Sequence, residues 1–183
     1  MGTKSVQFKV ETFPKMRVIG KGVSLVEGEM KMEDHSIEDL WAGMAQDGSL
    51  DVLAQLPGRM GPQGDMVGWM GDFNPPDMHF TYLAGALFGP DVEAPEGFIC
   101  RDVAAGEMAV SQLQGTDEPE GGDLHADASS NNGRAMAAQG YEYDGSRGLY
   151  EMEYQSHERY YTALERGEQP VLDFYTPCKK KVD

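Results

Sequence analysis

The order of elements along the chain constrains the fold more than any single motif in it. Strands are read from period-two alternation and from β-branched or aromatic runs, helices from a 3.6-residue period. "FKVETFPKMRVIGKGVSL" is the first strand region. It runs through Pro14, so it is either two short strands or an edge strand with a break. "SIEDLWAGMAQ" reads as a helix, with Ser36 as N-cap and Glu38 and Asp39 in its first turn. Ile37, Leu40, Trp41 and Met44 recur at helical spacing, and "SLDVLAQL" extends the helical region to Pro57 and Gly58. "MVGWMGDF" and "MHFTYLAGALF" follow as strands around the turn "NPPD".

The second half repeats this order. "GFICRDV" and "GEMAVSQLQG" are strands around a turn at Ala104 to Gly106. A helix falls between Asp123 and Gln139, weakened in its middle by Ser, Asn and Gly, with Gly140 as its C-terminal cap residue. "GLYEMEY" and "VLDFYTP" are strands, and "HERYYTALERG" between them is a short helix or a loop. Strand, helix, strand, strand, given twice, predicts an α+β fold: one antiparallel sheet with two helices on one face, leaving the other face free and in need of a use or a polar coat. The 183 residues suit a single domain, with modules at about 6–90 and 91–180.

Alternation assigns the faces. In the last strand Phe174 suits the helix-covered core, which leaves Asp173 and Tyr175 on the open face. In "GLYEMEY" the same logic buries Tyr150 and Met152 under the helices and opens Glu151 and Glu153. Trp69, Phe80 and Tyr82 could join either face. Carboxylates among aromatic rings suit an organic cation, through counter-charge and cation–π attraction. The alternative is a solvated acidic sheet face on which the tyrosines merely pack.

Composition limits the partners. Fifteen basic against 31 acidic residues give a formal net charge of −16. That argues against a nucleic-acid phosphate surface or an anionic membrane, and fits cationic ligands or an acidic cytoplasmic protein. There is no apolar signal core and no apolar run long enough to span a bilayer. Cys100 and Cys178 read as reduced thiols, and His35, His79, His125 and His157 as scattered surface or loop residues without metal spacing. No metal or cofactor is expected.

Five short motifs occur in a telling order: "FTYLAGALF" (80–88), "APEGF" (94–98), "AAGEMAV" (104–110), "GYEYDG" (140–145) and "LDFYTP" (172–177). Together they resemble the GyrI-like effector-binding domains, the ligand modules of many AraC-type and MerR-type regulators. The resemblance implies two pseudo-symmetric modules, a central cleft for lipophilic and often cationic aromatic compounds, and a cleft acid on the strand after Gly-Tyr. Glu151 fits that place by its distance from Tyr141; Glu158, followed by Tyr160, keeps the family's Glu-x-Tyr pattern. Met108 and Glu153 stand where the family usually has aromatics. No helix-turn-helix segment precedes the motifs, so the expectation is a standalone, cytoplasmic version.

The expected function is therefore binding of a hydrophobic cationic small molecule, with Glu151, Glu153, Trp69, Phe80, Tyr82, Asp173, Tyr175, Glu158 and Tyr160 as candidate site residues. One alternative is hydrolysis of small electrophiles, with Glu151 as general base and Tyr175 or Tyr82 polarising the electrophile. A second is a gyrase-inhibitor-like role toward a protein partner, for which the acidic run "DEPEGGD" is the one dense feature.

Overall fold

The computed structural model describes residues 3–26, 36–116 and 124–182. His35 and the acidic run at 117–123 lie outside the described residues. The fold is α+β, with nine strands and four helices among the described residues. In chain order the elements are β1 (Lys4–Phe13), β2 (Met16–Val26), α1 (Ser36–Gln46), α2 (Ser49–Gln55), β3 (Met66–Asn74), β4 (His79–Phe88), β5 (Ile99–Val103), β6 (Gly106–Gln114), α3 (Leu124–Ala138), β7 (Tyr141–Tyr143), β8 (Leu149–Gln155), α4 (Thr162–Glu165) and β9 (Val171–Lys180). A π-helical turn, His157–Tyr161, leads into α4. Pro14 does separate two strands, and α1 and α2 are parted by Gly48 at φ 81°.

All pairings are antiparallel, in the order β1-β6-β9-β8-β3-β4-β2-β5, with the short β7 beside β9. This order cannot be laid out flat. β1 is at one edge and β2 is next to the other, six strand spacings away, or about 29 Å at ~4.8 Å each. Yet only Pro14 and Lys15 join them, a link that reaches about 11 Å when fully extended. The link from β5 to β6 is as short and also joins opposite ends of the order. The sheet is therefore rolled, so that its two ends meet at one corner.

Rolling gives each face its own core. The inner, concave face carries Met16, Val18, Trp69, Leu83, Val103 and Met152, a cluster drawn from both ends of the sheet. On the outer face α1 and α2 cover Ile19, Leu25, Ala84 and Phe88, and α3 covers Leu113, Leu172 and Phe174. The face opposite the helices is thus not a free, wet surface: it closes on itself around apolar side chains.

α3 runs unbroken for 15 residues through "SSNNG". Asn132, fully buried, accepts from the Ser111 hydroxyl at 2.7 Å. It donates to Thr176 Oγ1 at 2.8 Å and to the Ala109 carbonyl at 3.1 Å. Residues that weaken an isolated helix here dock this one onto the sheet. Gly140, at φ 77°, ends the helical segment as expected.

Candidate functional site

α1 lies over β2 and β4, and α3 over β6 and β9. The two central strands, β3 and β8, therefore floor a groove between the helices. Their outward side chains there are Met70, Glu151 and Glu153, with Gly68 opposite Glu153. This corrects the expected facing of β8. Glu151 and Glu153 point to the helix side, while Met152 joins Trp69 inside the roll. Tyr150 is the reason the start of the strand misleads. Leu149 pairs with Gly71 and Glu151 with Met70, so Tyr150 is the extra residue of a β-bulge. It is exposed, packs edge-on against Tyr143, and lets Leu149 turn into the concave core.

Glu153 is the centre of the groove. It is only 7% exposed and both of its oxygens are engaged. Tyr82 donates to Oε2 at 3.2 Å, and His125 Nδ1 lies 2.9 Å from Oε1. The network continues at both ends. Trp41 donates from Nε1 to the Tyr82 hydroxyl at 3.2 Å, and His125 Nε2 lies 2.9 Å from the Tyr160 hydroxyl. Burial, then the charge of Glu153, pushes the Tyr82 phenol far above its ordinary value, so Tyr82 stays a proton donor to the carboxylate. The same causes push Tyr161 up to about 12. Glu151, also buried, accepts from Ser129 of α3 at 2.6 Å. Phe80 lies on this face among the aromatic walls, as does Tyr160.

The remaining candidates lie elsewhere. Asp173 and Tyr175 face into the roll, because Tyr154 pairs with Asp173 and Met152 with Tyr175 on the side away from Glu153. Trp69 is there too, fully buried beneath Arg101. Glu158 is exposed at the mouth of the roll and does not share the groove with Tyr160 two residues on. The expected single acidic face is therefore split in two: Glu151, Glu153, Phe80, Tyr82 and Tyr160 lie outside, and Trp69, Asp173 and Tyr175 inside, with Glu158 at the mouth of the roll.

His125 is the member of this network that sequence reasoning missed. It is neither scattered nor a surface residue; it bridges Glu153 and Tyr160. The signal was present: His125, Ser129 and Asn132 recur at i, i+4, i+7, one polar stripe on the sheet-facing side of α3.

Inside the roll, Asp173 is almost fully buried and paired through Oδ2 with Arg159 at 2.6 Å. Burial outweighs Arg159 and holds its carboxyl above the usual range. An acid whose folded pKa exceeds its unfolded value loses stability as pH rises through that window. Asp173→Asn is therefore expected to melt no lower than the wild type at pH 7, because Arg159, more than a third exposed, remains hydrated. Any advantage closes below about pH 4, where the carboxyl is protonated in both states. Thermal melts at the two pH values check this.

No family profile and no curated protein matches the chain. Solved structures do. An integron cassette protein from the mobile metagenome of Vibrio cholerae is 11% identical, with a TM-score of 0.63 over 98% of this chain and 100% of that one. SAV2435, solved bound to tetraphenylphosphonium, is 12% identical, with a TM-score of 0.64 over 95% and 94%. The C-terminal domain of EcmrR is 11% identical, with a TM-score of 0.54 over 96% and 98%. These likenesses define the fold: one antiparallel sheet with helices packed on it. Among the described residues no helix is long and apolar enough to cross a membrane.

Proposed function

We propose that this chain binds lipophilic organic cations in the groove between α1 and α3, with Glu153 as counter-charge. The observation that carries the reading is a buried carboxylate on the floor of a groove walled by Trp41, Phe80, Tyr82 and Tyr160. A delocalised cation can enter without hydrogen bonds of its own, take the charge of Glu153 at low dielectric, and lay its rings on aromatic and methionine surface. SAV2435, of the same fold, was solved with such a cation bound, which supports the reading.

The strand order supports the module reading as well. Taken from either edge, the order runs through corresponding strands: β1 or β5, then β6 or β2, β9 or β4, β8 or β3. On this reading the halves 6–90 and 91–180 are equivalent modules of one GyrI-like domain that exchange their first strands. The groove then lies on the axis between them.

The test is a titration with tetraphenylphosphonium by calorimetry. Wild type is expected to bind saturably, and Glu153→Gln at least about tenfold more weakly, a loss of about 1.4 kcal/mol. Glu151→Gln is expected to lose less, since Glu151 is engaged by Ser129 beside the centre. Equal binding by wild type and Glu153→Gln would overturn the assignment of the counter-charge.

A further inference from the structure

The roll holds two adjoining cavities that the groove on the outer face does not use. One, of about 370 Å³, is polar and is lined by Asp65, Tyr154, Glu158, Arg159, Asp173 and Tyr175 among others. The second, of about 180 Å³, is apolar; Phe13, Met16, Met60, Leu87 and Met152 line it. Tyr154 and Tyr175 belong to both, with ring centroids 5.8 Å apart, so the two rings mark the passage from the polar to the apolar chamber.

Among the described residues that line the polar chamber, one buried polar side-chain atom has no hydrogen-bond partner. Asp173 is 4% exposed, and its Oδ2 is taken by Arg159 at 2.6 Å, with Gln112 at 3.5 Å. Its Oδ1 is buried without a hydrogen-bond partner among the described residues. A buried carboxylate oxygen with no donor is costly, and a bound donor would satisfy it. The Asp65 oxygens are already engaged: Oδ2 accepts from the Tyr154 hydroxyl and Oδ1 from the His157 backbone N–H at 2.8 Å. The charges that reach this chamber are the carboxylates Asp65, Glu158, Asp173 and Glu11, against the cations Arg159, Lys9 and, beside Asp65 and Tyr154, Arg59; His157 also lines it. The four carboxylates outnumber the three Lys and Arg cations, and the Arg159 guanidinium is already paired with Asp173.

We propose that the inside of the roll is a second binding site, for an amphiphilic protonated amine. Its ammonium N–H donates to Asp173 Oδ1, its charge rests between the Tyr154 and Tyr175 rings, and its apolar body enters the methionine-lined chamber. The requirement for an N–H donor separates it from the outer groove, whose Glu153 oxygens already have donors. Methionine walls adapt to bodies of different shape, so the specificity lies in the head group. The proposal stands independently of the groove reading. The raised pKa of Asp173 agrees with it, since a cation there lowers the cost of ionisation.

The experiment uses methyl-labelled methionine and NMR on the whole chain. Met60 and Met152 report the inside of the roll and Met70 the groove. The probes are 2-(1-naphthyl)ethylamine, its alcohol counterpart and its trimethylammonium counterpart, followed by tetraphenylphosphonium. The amine is expected to shift the Met60 and Met152 signals saturably. The alcohol and the trimethylammonium compound are each expected to bind about tenfold more weakly, one lacking the charge and the other the donor. Asp173→Asn is expected to weaken the amine to the level of the alcohol while leaving the tetraphenylphosphonium response at Met70 unchanged. If the amine moves only Met70, or binds no better than the alcohol, the inner site is overturned. If tetraphenylphosphonium fails to move Met70 while the amine moves Met60, the groove reading falls and the inner site stands. Should Asp173→Asn fail to fold, the comparison of the three naphthyl probes on wild type still decides.

Discussion

Replacing Asn132 by Ala is expected to cost about 3 kcal/mol and to lower the melting temperature by about 10 °C. Asn132 is fully buried and joins α3 to two strands at once: to β6 through Ser111 and the Ala109 carbonyl, and to β9 through Thr176 and the Phe174 carbonyl. Alanine leaves the Ser111 and Thr176 hydroxyls buried with one partner fewer, and a small void beside them. Burying a polar atom without its partner costs more than the hydrogen bond contributed. Alanine is also the better helix former, so any loss is the net of a gain in propensity. Ser130→Ala, on the exposed side of the same helix, serves as the control and is expected to stay within about 0.5 kcal/mol. Chemical denaturation of both variants is the measurement. A loss below about 1 kcal/mol for Asn132→Ala would mean that the apolar contacts of Leu124 and Ala128 dock α3 by themselves.

That helix shows where the sequence misleads and why. "SSNNG" reads as poorly helical because Ser and Asn compete for backbone hydrogen bonds in an isolated chain. In the folded protein Ser129 and Asn132 spend that capacity on the sheet instead. Local propensity is legible in sequence; the partner that overrides it is 22 positions away for Ser129 and Glu151 and 44 for Asn132 and Thr176. The order of the longer elements was legible for the same reason, since period and turn residues are local signals; the three-residue β7 is too short to show a period and was not read. The pairing of β1 with β6 and of β5 with β2 was not, because only the shortness of two links, set against a strand order that is itself non-local, reveals the roll.

The site was legible in its residue types more than in its geometry. Carboxylates among aromatics pointed to cation chemistry, and Glu153 and Tyr82 do meet. The face did not follow, because the reading took the helix side to be apolar. A polar stripe on α3 makes acids welcome there, and the bulge at Tyr150 shifts the phase of the strand that carries them. Asp173 and Tyr175 kept their own alternation and so ended inside the roll. One expected site thereby resolves into two places with different demands on a ligand.

Gly68→Ala is expected to dismantle the groove centre. Tyr82 and Glu153 sit on β4 and β8, which are not neighbours: β3 runs between them. The Tyr82 hydroxyl reaches Glu153 by crossing directly over Gly68. A Cβ at Gly68 would fall 2.1 Å from that hydroxyl, 2.6 Å from Cζ and 3.0 Å from Glu153 Oε2. Tyr82 is 1% exposed, so its rigid ring has no free space to retreat into. The expected cost is about 2 kcal/mol of stability, together with loss of the Tyr82 bonds to Trp41 and Glu153. Tetraphenylphosphonium binding should fall by about tenfold or more, because Glu153 loses the donor that orients it. Tyr82→Phe alone removes the hydroxyl without the clash and is expected to cost about 1 kcal/mol. In the double variant the worst overlap is gone, and the smaller one remains, with the ring Cζ at 2.6 Å from the added Cβ. The two losses should therefore be less than additive, with a coupling of about 1 kcal/mol measured by a denaturation cycle. Strict additivity would mean that Gly68 is required for some other feature of β3, and that the path of Tyr82 across the strand does not depend on the missing side chain.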